Sequence, residues 1–291
     1  DDEASRHLDW VIEKILERDM IAIVDFHWAI PDDKLAFDSQ KDRRQCEENF
    51  LAVWKILADR YRDYPDSLYF ELANEPHRPI DGDIWNSWVR QALTFIRQSG
   101  GNNATRMVVV GTPVLIGRVI HTWDQVNGIE QLQLPSTQDD PNIMITFHYY
   151  NPYPFTHQEQ TYTRDLAMIS WLWKGNRWVN SGKQIAYVQR DFDRISQWAH
   201  ESNRKVILGE FGVSIYADID SQVQWVRLVR EEAESRGMVW IFWDFFDQDE
   251  LGARRHLPDQ LVEAHDVGVV ERGVHLVQEA EGARLCIIDG E

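Results

Sequence analysis

Two glutamates stand where apolar runs give out: Glu75 follows Asn74 in FELANEPH, and Glu210 lies in KVILGEFG. A pair of carboxyl groups flanking a glycosidic bond can hydrolyse it, one protonating the leaving oxygen while the other attacks the anomeric carbon or activates water. Either glutamate alone reads equally well as a solvated charge at the entry to a loop. Their company narrows the choice. His27 closes the run IAIVDFH, His148 and Tyr150 stand two residues apart in IMITFHYY and so share one strand face, and Trp243 lies in MVWIFWDF.

Groups so far apart in sequence meet only if the ends of several strands converge. The chain alternates amphipathic helical segments with short apolar runs, which argues for parallel βα units rather than hairpins. Six strands are expected, at 21–28, 68–74, 107–112, 143–150, 205–212 and 238–245. Between them, Leu8, Val11, Ile12, Ile15 and Leu16 mark a first helix at the 3.6-residue period; Phe50, Val53, Trp54, Leu57 and Tyr61 mark a second. Ile84, Trp88, Val89, Ala92, Phe95 and Ile96 mark a third, closed by Gly100 and Gly101. Further helices are expected near 189–203 and 221–235. In a parallel barrel the C-terminal strand ends all lie on one face, where such folds place their chemistry. The stretch after Tyr150 reads as a long loop, and long loops in compact domains are often functional.

At 291 residues the chain suits one large α/β domain. Lys+Arg 30 against Asp+Glu 48 gives a formal net charge of -18, which repels phosphate backbones and anionic lipid, so no nucleic acid and no membrane partner is expected. Cys46 and Cys286 show no metal-binding or CxxC spacing and read as free thiols. No run approaches the ~18 apolar residues of a membrane span. The first residues lack the basic-then-apolar order of a signal peptide. Most of the 13 tryptophans are expected to pack in the core, although the ring also suits stacking on sugars.

FELANEPH, FHYYNPYPFTHQ, LGEFG and the tryptophan of WIFWDF resemble, in that order, glycoside hydrolase family 5, in its cellulase and endoglucanase branch. The likeness covers most of residues 1–246 and implies a (β/α)8 TIM barrel. Residue by residue, Glu75 resembles the general acid/base and Glu210 the nucleophile of a retaining enzyme, whose carboxyls should stand ~5–5.5 Å apart. Glu75 must then start protonated and Glu210 ionised. Asn74 is expected to bond the sugar 2-hydroxyl, Tyr150 to donate to the nucleophile and His148 to lie near the acid/base. His27 is expected to contact the sugar at the cleavage point, with Trp243 as the platform beneath it. Trp28 stands where close relatives often carry a second histidine and is expected to bind substrate, changing how the ring at the cleavage point is held. Trp123, Trp171, Trp173 and Trp178 either line a groove for a linear glycan or pack under their loops. The implied activity is endo-hydrolysis of β-1,4-linked glucan, with β-mannan, xyloglucan and lichenan as alternatives. A β-linked polysaccharide or oligosaccharide is the implied partner of a monomeric, extracellular protein, and no metal or organic cofactor is implied.

Two departures bear on that expectation. The resemblance begins in the helix before the family's third strand, so the first two βα units, and the second-strand arginine that bonds the nucleophile, have no counterpart. An open barrel would bare two strand edges. The catalytic barrel is therefore assigned to residues 1–250 and a tail without clear resemblance to 251–291. The tail's β-like runs at 267–270, 274–278 and 285–289 either pair into the empty positions or form an unrelated extension. A carbohydrate-binding remnant without turnover, or a truncated fragment, is the alternative function.

Overall fold

The computed structural model describes residues 2–27, 40–77, 80, 82–116, 123–161, 168–243, 274–276 and 284–289. Helix α1 (Asp2–Leu16) leads into β1 (Met20–Asp25), followed by α2 (Gln40–Tyr61), β2 (Leu68–Glu71), α3 (Gly82–Gln98) and β3 (Val108–Gly111). Beyond α3, Gly100 and Gly101 take positive φ values of 77° and 57°, as expected of a glycine helix stop. A small antiparallel hairpin, β4 (Leu115–Ile116) with β5 (Trp123–Asp124), comes next. Then follow β6 (Ile143–His148), the single turn α4 (Tyr153–Thr156), α5 (Gly182–Ser202), β7 (Val206–Phe211), α6 (Ile219–Glu234) and β8 (Trp240–Phe242).

Strands β1, β2, β3, β6, β7 and β8 are parallel neighbours in that order. These are the six expected strands, and the curled sheet with its helices is of the (β/α)8 TIM-barrel type, with six of eight βα units recognisable. Helix α5 begins well before the expected 189. Its start is a capping box, in which Ser181 accepts from the Gln184 backbone and the Gln184 side chain reaches back to Ser181, a Ser-x-x-Gln signal that apolar periodicity does not register.

Strand alternation sorts the side chains. Ala22, Val24, Phe70, Val108, Val110, Ile145, Phe147, Leu208 and Phe242 face the helices and join Phe50, Trp54, Trp88, Phe192 and Trp225 in the main core. Residues of the other parity, Ile23, Val109, Ile207 and Ile241, with Ile21, Tyr69, Met144 and Val239 packed against them, form a separate cluster on the concave face. That apolar floor supports whatever stands on it further along the same strands.

The tail pairs with the sheet. Strand β10 (Arg284–Asp289) lies parallel to β1 from Met20↔Arg284 to Asp25↔Asp289, and β9 (Val274–Leu276) lies antiparallel to β10. Of the two readings of this segment, pairing onto the bare β1 edge is the one observed for these residues; the run at 267–270 lies outside the described residues. Strand β9 comes within 8 Å of β8 between Cα atoms, so the sheet curls back toward its other edge. No helix among the described residues is long and apolar enough to cross a membrane.

A chain ended at residue 249 lacks β9 and β10 and bares β1. Loss of that ladder is expected to lower the unfolding free energy by on the order of 3 kcal/mol, read as a lower urea midpoint at unchanged protein concentration. An unchanged midpoint would mean that the tail adds nothing to the sheet.

Candidate active site

Continuing along each strand past the apolar floor, the same inward parity presents Asp25 and then His27 on β1, Glu71 on β2, Thr146 and then His148 on β6, and Trp243 after β8. Glu210 reaches this face by a different route. Ile207 faces inward, so strict alternation would turn residue 210 toward the helices. The register between β6 and β7 shifts between Phe147 and His148, which places His148 opposite Glu210. Gly209 makes the irregularity possible, since a Cβ there would stand 2.1 Å from Thr146 Oγ1 and 3.1 Å from His148 Nε2.

Glu75 sits just past β2 in the left-handed region, at φ 41°, a conformation that costs a non-glycine residue about 1–2 kcal/mol. The turn is held from both sides. His77 Nδ1 donates to the Glu75 carbonyl at 2.7 Å, and the Val114 amide donates to the Pro76 carbonyl at 2.8 Å. Three donors converge on the Glu75 carboxyl: Trp123 Nε1 on Oε2 at 2.6 Å, and Gln125 Nε2 and His148 Nδ1 on Oε1 at 2.9 and 2.8 Å. Tyr150 Oη donates to Glu210 Oε2 at 3.0 Å, and His148 Nδ1 lies 3.2 Å from the same oxygen.

One imidazole therefore stands between the two carboxyls, and a carboxylate oxygen of each glutamate and His148 Nδ1 all lie within 4.8 Å of one another. Burial would strip the proton from His148, but the charge and hydrogen bond of Glu210, with those of Glu75, outweigh it and push the ring up to about 10. Among the described residues this is the one group of three side chains spaced to hold a metal ion. An imidazole between two carboxyls is also a set of groups that can pass protons among themselves and to a bound molecule.

Beneath them lie two further carboxyls. Asp25 and Glu71 are register partners on adjacent strands and are both buried. Burial, then the nearby Asp25 charge, pushes Glu71 well above the ordinary carboxylate range, which keeps it neutral. Asp25 Oδ2 accepts from His27 Nδ1 at 3.0 Å, and His27 Nε2 lies 3.3 Å from Asn74 Nδ2, so the ring links the buried carboxyl to the Asn74 amide. Trp243 stacks on His27 at 5.7 Å with planes 9° apart, so one ring face meets the histidine rather than a sugar.

The structure thus brings Glu75, Glu210, Asn74, His148, Tyr150, His27 and Trp243 together. Trp123 joins them as a donor to Glu75 and tilts against His77. Trp178 does not: at 1% exposure it packs on Phe155 and donates to Asn180, so its ring fills the core instead of lining a groove. Trp173 is buried with Tyr150 and Tyr153, while Trp171 is exposed. Trp28 lies outside the described residues. Asp25, Glu71 and Gln125 were not singled out from sequence. The first two are charges inside otherwise apolar strands, a signal available to inspection; Gln125 lies in irregular chain with no pattern to mark it.

A close pair of carboxyls at the C-terminal rim of a curled parallel sheet is an arrangement that barrel glycoside hydrolases use. Residues 1–249 match the cellulase family, glycosyl hydrolase family 5, and the chain belongs to it. It is 29% identical to Endoglucanase H of Acetivibrio thermocellus over 81% of this chain and 22% of that protein. Against Endoglucanase B of Clostridium cellulovorans it is 28% identical over 69% of this chain and 43% of that protein. The chain therefore spans less than half the length of these curated relatives. Endoglucanase Cel5A from Thermotoga maritima superimposes with a TM-score of 0.75 at 30% identity, covering 90% of this chain and 78% of that one.

Two substitutions check these placements. Gly209→Ala should drive Thr146 and His148 apart from their present positions and cut any hydrolytic activity by about tenfold or more, while melting stays cooperative. For Glu71, the folded state holds its proton more tightly than the unfolded chain, so folding is unpenalised below the ordinary value of 4.5 and increasingly penalised as pH rises toward the folded value. Glu71→Gln, neutral throughout, is expected to raise the melting temperature at pH 8 and to leave it nearly unchanged at pH 4; equal gains at both would refute a neutral Glu71.

Proposed function

We propose that this chain is a retaining, endo-acting β-1,4-glycanase with cellulose-like glucan as its preferred substrate. The observation that carries the reading is the spacing: carboxylate oxygens of Glu75 and Glu210 lie within 4.8 Å of each other. That is close to the ~5–5.5 Å of an acid/base and nucleophile pair, and short of the ~6.5–9.5 Å that leaves room for an attacking water. In the first displacement a Glu210 oxygen bonds the anomeric carbon as the glycosidic bond breaks, and the Glu75 proton passes to the leaving oxygen. In the second, Glu75 takes a proton from water, whose oxygen replaces Glu210 and restores the starting configuration.

His148 and Tyr150 hold Glu210 by its Oε2 and stabilise its charged form before attack. Asn74, oriented through His27 and Asp25, is the group to meet the sugar 2-hydroxyl, a contact that strengthens in the transition state. Structures of T. maritima Cel5A have been described in complex with cellobiose and with mannotriose. Those two ligands support glucan as the substrate class and keep β-mannan as the second candidate. The net charge of -18 disfavours anionic glycans. All the groups named come from one chain, consistent with a monomer, and a polymeric substrate puts the work outside the cell.

The test is release of reducing ends from carboxymethyl-cellulose and from a mannan. Glu75→Gln is expected to slow hydrolysis by about 10²–10⁴-fold yet to spare an aryl glycoside whose leaving group needs no proton, and Glu210→Gln to abolish both. Equal loss on both substrates for Glu75→Gln would make Glu75 structural. A folded wild-type protein that releases nothing would be a carbohydrate-binding remnant.

A further inference from the structure

We propose that Gln125 is a positioning residue that reserves Oε2 of Glu75 as the oxygen that carries and delivers the acid proton. The inference deepens the hydrolase reading above and rests on it for the word acid, but the geometry is independent of any substrate. Gln125 is 2% exposed. Its Oε1 accepts from the backbone N–H of His148 at 2.9 Å and from Thr112 Oγ1 at 3.0 Å. A backbone N–H can only donate, so the atom facing it must be the amide oxygen. The side chain cannot flip without pointing N–H at N–H in a buried place, and its Nε2 is thereby committed to Glu75.

That commitment divides the two oxygens of Glu75. Oε1 receives Gln125 Nε2 at 2.9 Å and His148 Nδ1 at 2.8 Å. Both of its in-plane lone pairs are then engaged, and a proton there would have to displace one of two held donors. Oε2 receives Trp123 Nε1 at 2.6 Å. Its second lone pair is the place for the proton. Because Gln125 hangs from the His148 backbone, the acid is also tied in position to the strand that carries the histidine shared with Glu210. Gln125 touches neither sugar nor nucleophile and acts through Glu75.

The experiment is a 13C NMR titration of protein labelled at the glutamate carboxyl carbons, with the Glu75 signal identified by its loss in Glu75→Gln. Two variants are compared with wild type. Gln125→Leu removes the donor, whereas Gln125→Met also removes it but keeps a weak thioether acceptor and a more adaptable shape beside His148 and Thr112, so at least one should fold. Among the described residues, the titratable groups facing Glu75 are His148 and Glu210, with His77 behind Trp123 and Glu71 below; the Glu71 and Glu210 signals in the same spectrum report whether they move too. The Glu75 midpoint is expected to rise by about one unit in both variants. An unchanged midpoint overturns the proposal.

Hydrolysis supplies the second arm. Gln125→Met is expected to slow glycan cleavage by about tenfold, to leave the aryl glycoside nearly untouched, and to cost nothing more in a Glu75→Gln background. The same loss in both backgrounds would make Gln125 a merely structural residue and overturn the proposal. If the wild type cleaves nothing while the midpoint still moves, the proposed function falls and the placement of the proton on Oε2 stands.

Discussion

The arrangement at the rim depends on one protonated imidazole held between two carboxyls. Glu75 and Glu210 stand close enough for one ring nitrogen of His148 to reach an oxygen of each. The charge on His148 survives burial because the two acids are there. The hold runs through position: moving either carboxyl away from the ring removes part of what keeps the imidazolium charged inside the sheet.

Much of this was legible in the sequence because each principal group interrupts an apolar run at its end. Strand periodicity correctly put His148 and Tyr150 on one face, and the same parity puts Asp25 below His27. Periodicity misleads at Glu210, whose inward direction comes from the irregularity at Gly209 and not from alternation. The donors to Glu75 were harder to read. Trp123 and Gln125 come from a two-residue strand and the irregular residue after it, too short to leave a periodic trace, and their contacts with Glu75 span 48 and 50 residues.

The tryptophans show the limits of composition in another way. Trp54, Trp85, Trp88, Trp178 and Trp225 are among the largest fully buried side chains, each donating its indole N–H to a carbonyl or side-chain oxygen nearby except Trp88, which stacks on Phe50. A ring that has found both a packing partner and an acceptor satisfies its whole surface internally. Nothing in the residue type separates these from rings at the rim; the element that carries them does. Acidic residues divide similarly, between the solvated majority and the few that the sheet turns inward.

The pairing of β10 with β1 has a consequence for how the chain acquires its structure. Met20 meets Arg284 and Asp25 meets Asp289, so the most sequence-distant ladder in the sheet joins segments near opposite ends of this chain. Strand β10 is made long after β1, so this ladder can form only once nearly all of the chain between them exists, whereas β1 meets β2 early. Closing so long a loop is entropically slow. Among the ladders of this sheet, the one between β1 and β10 is therefore expected to close late, after the shorter-range βα pairings from β1 through β8.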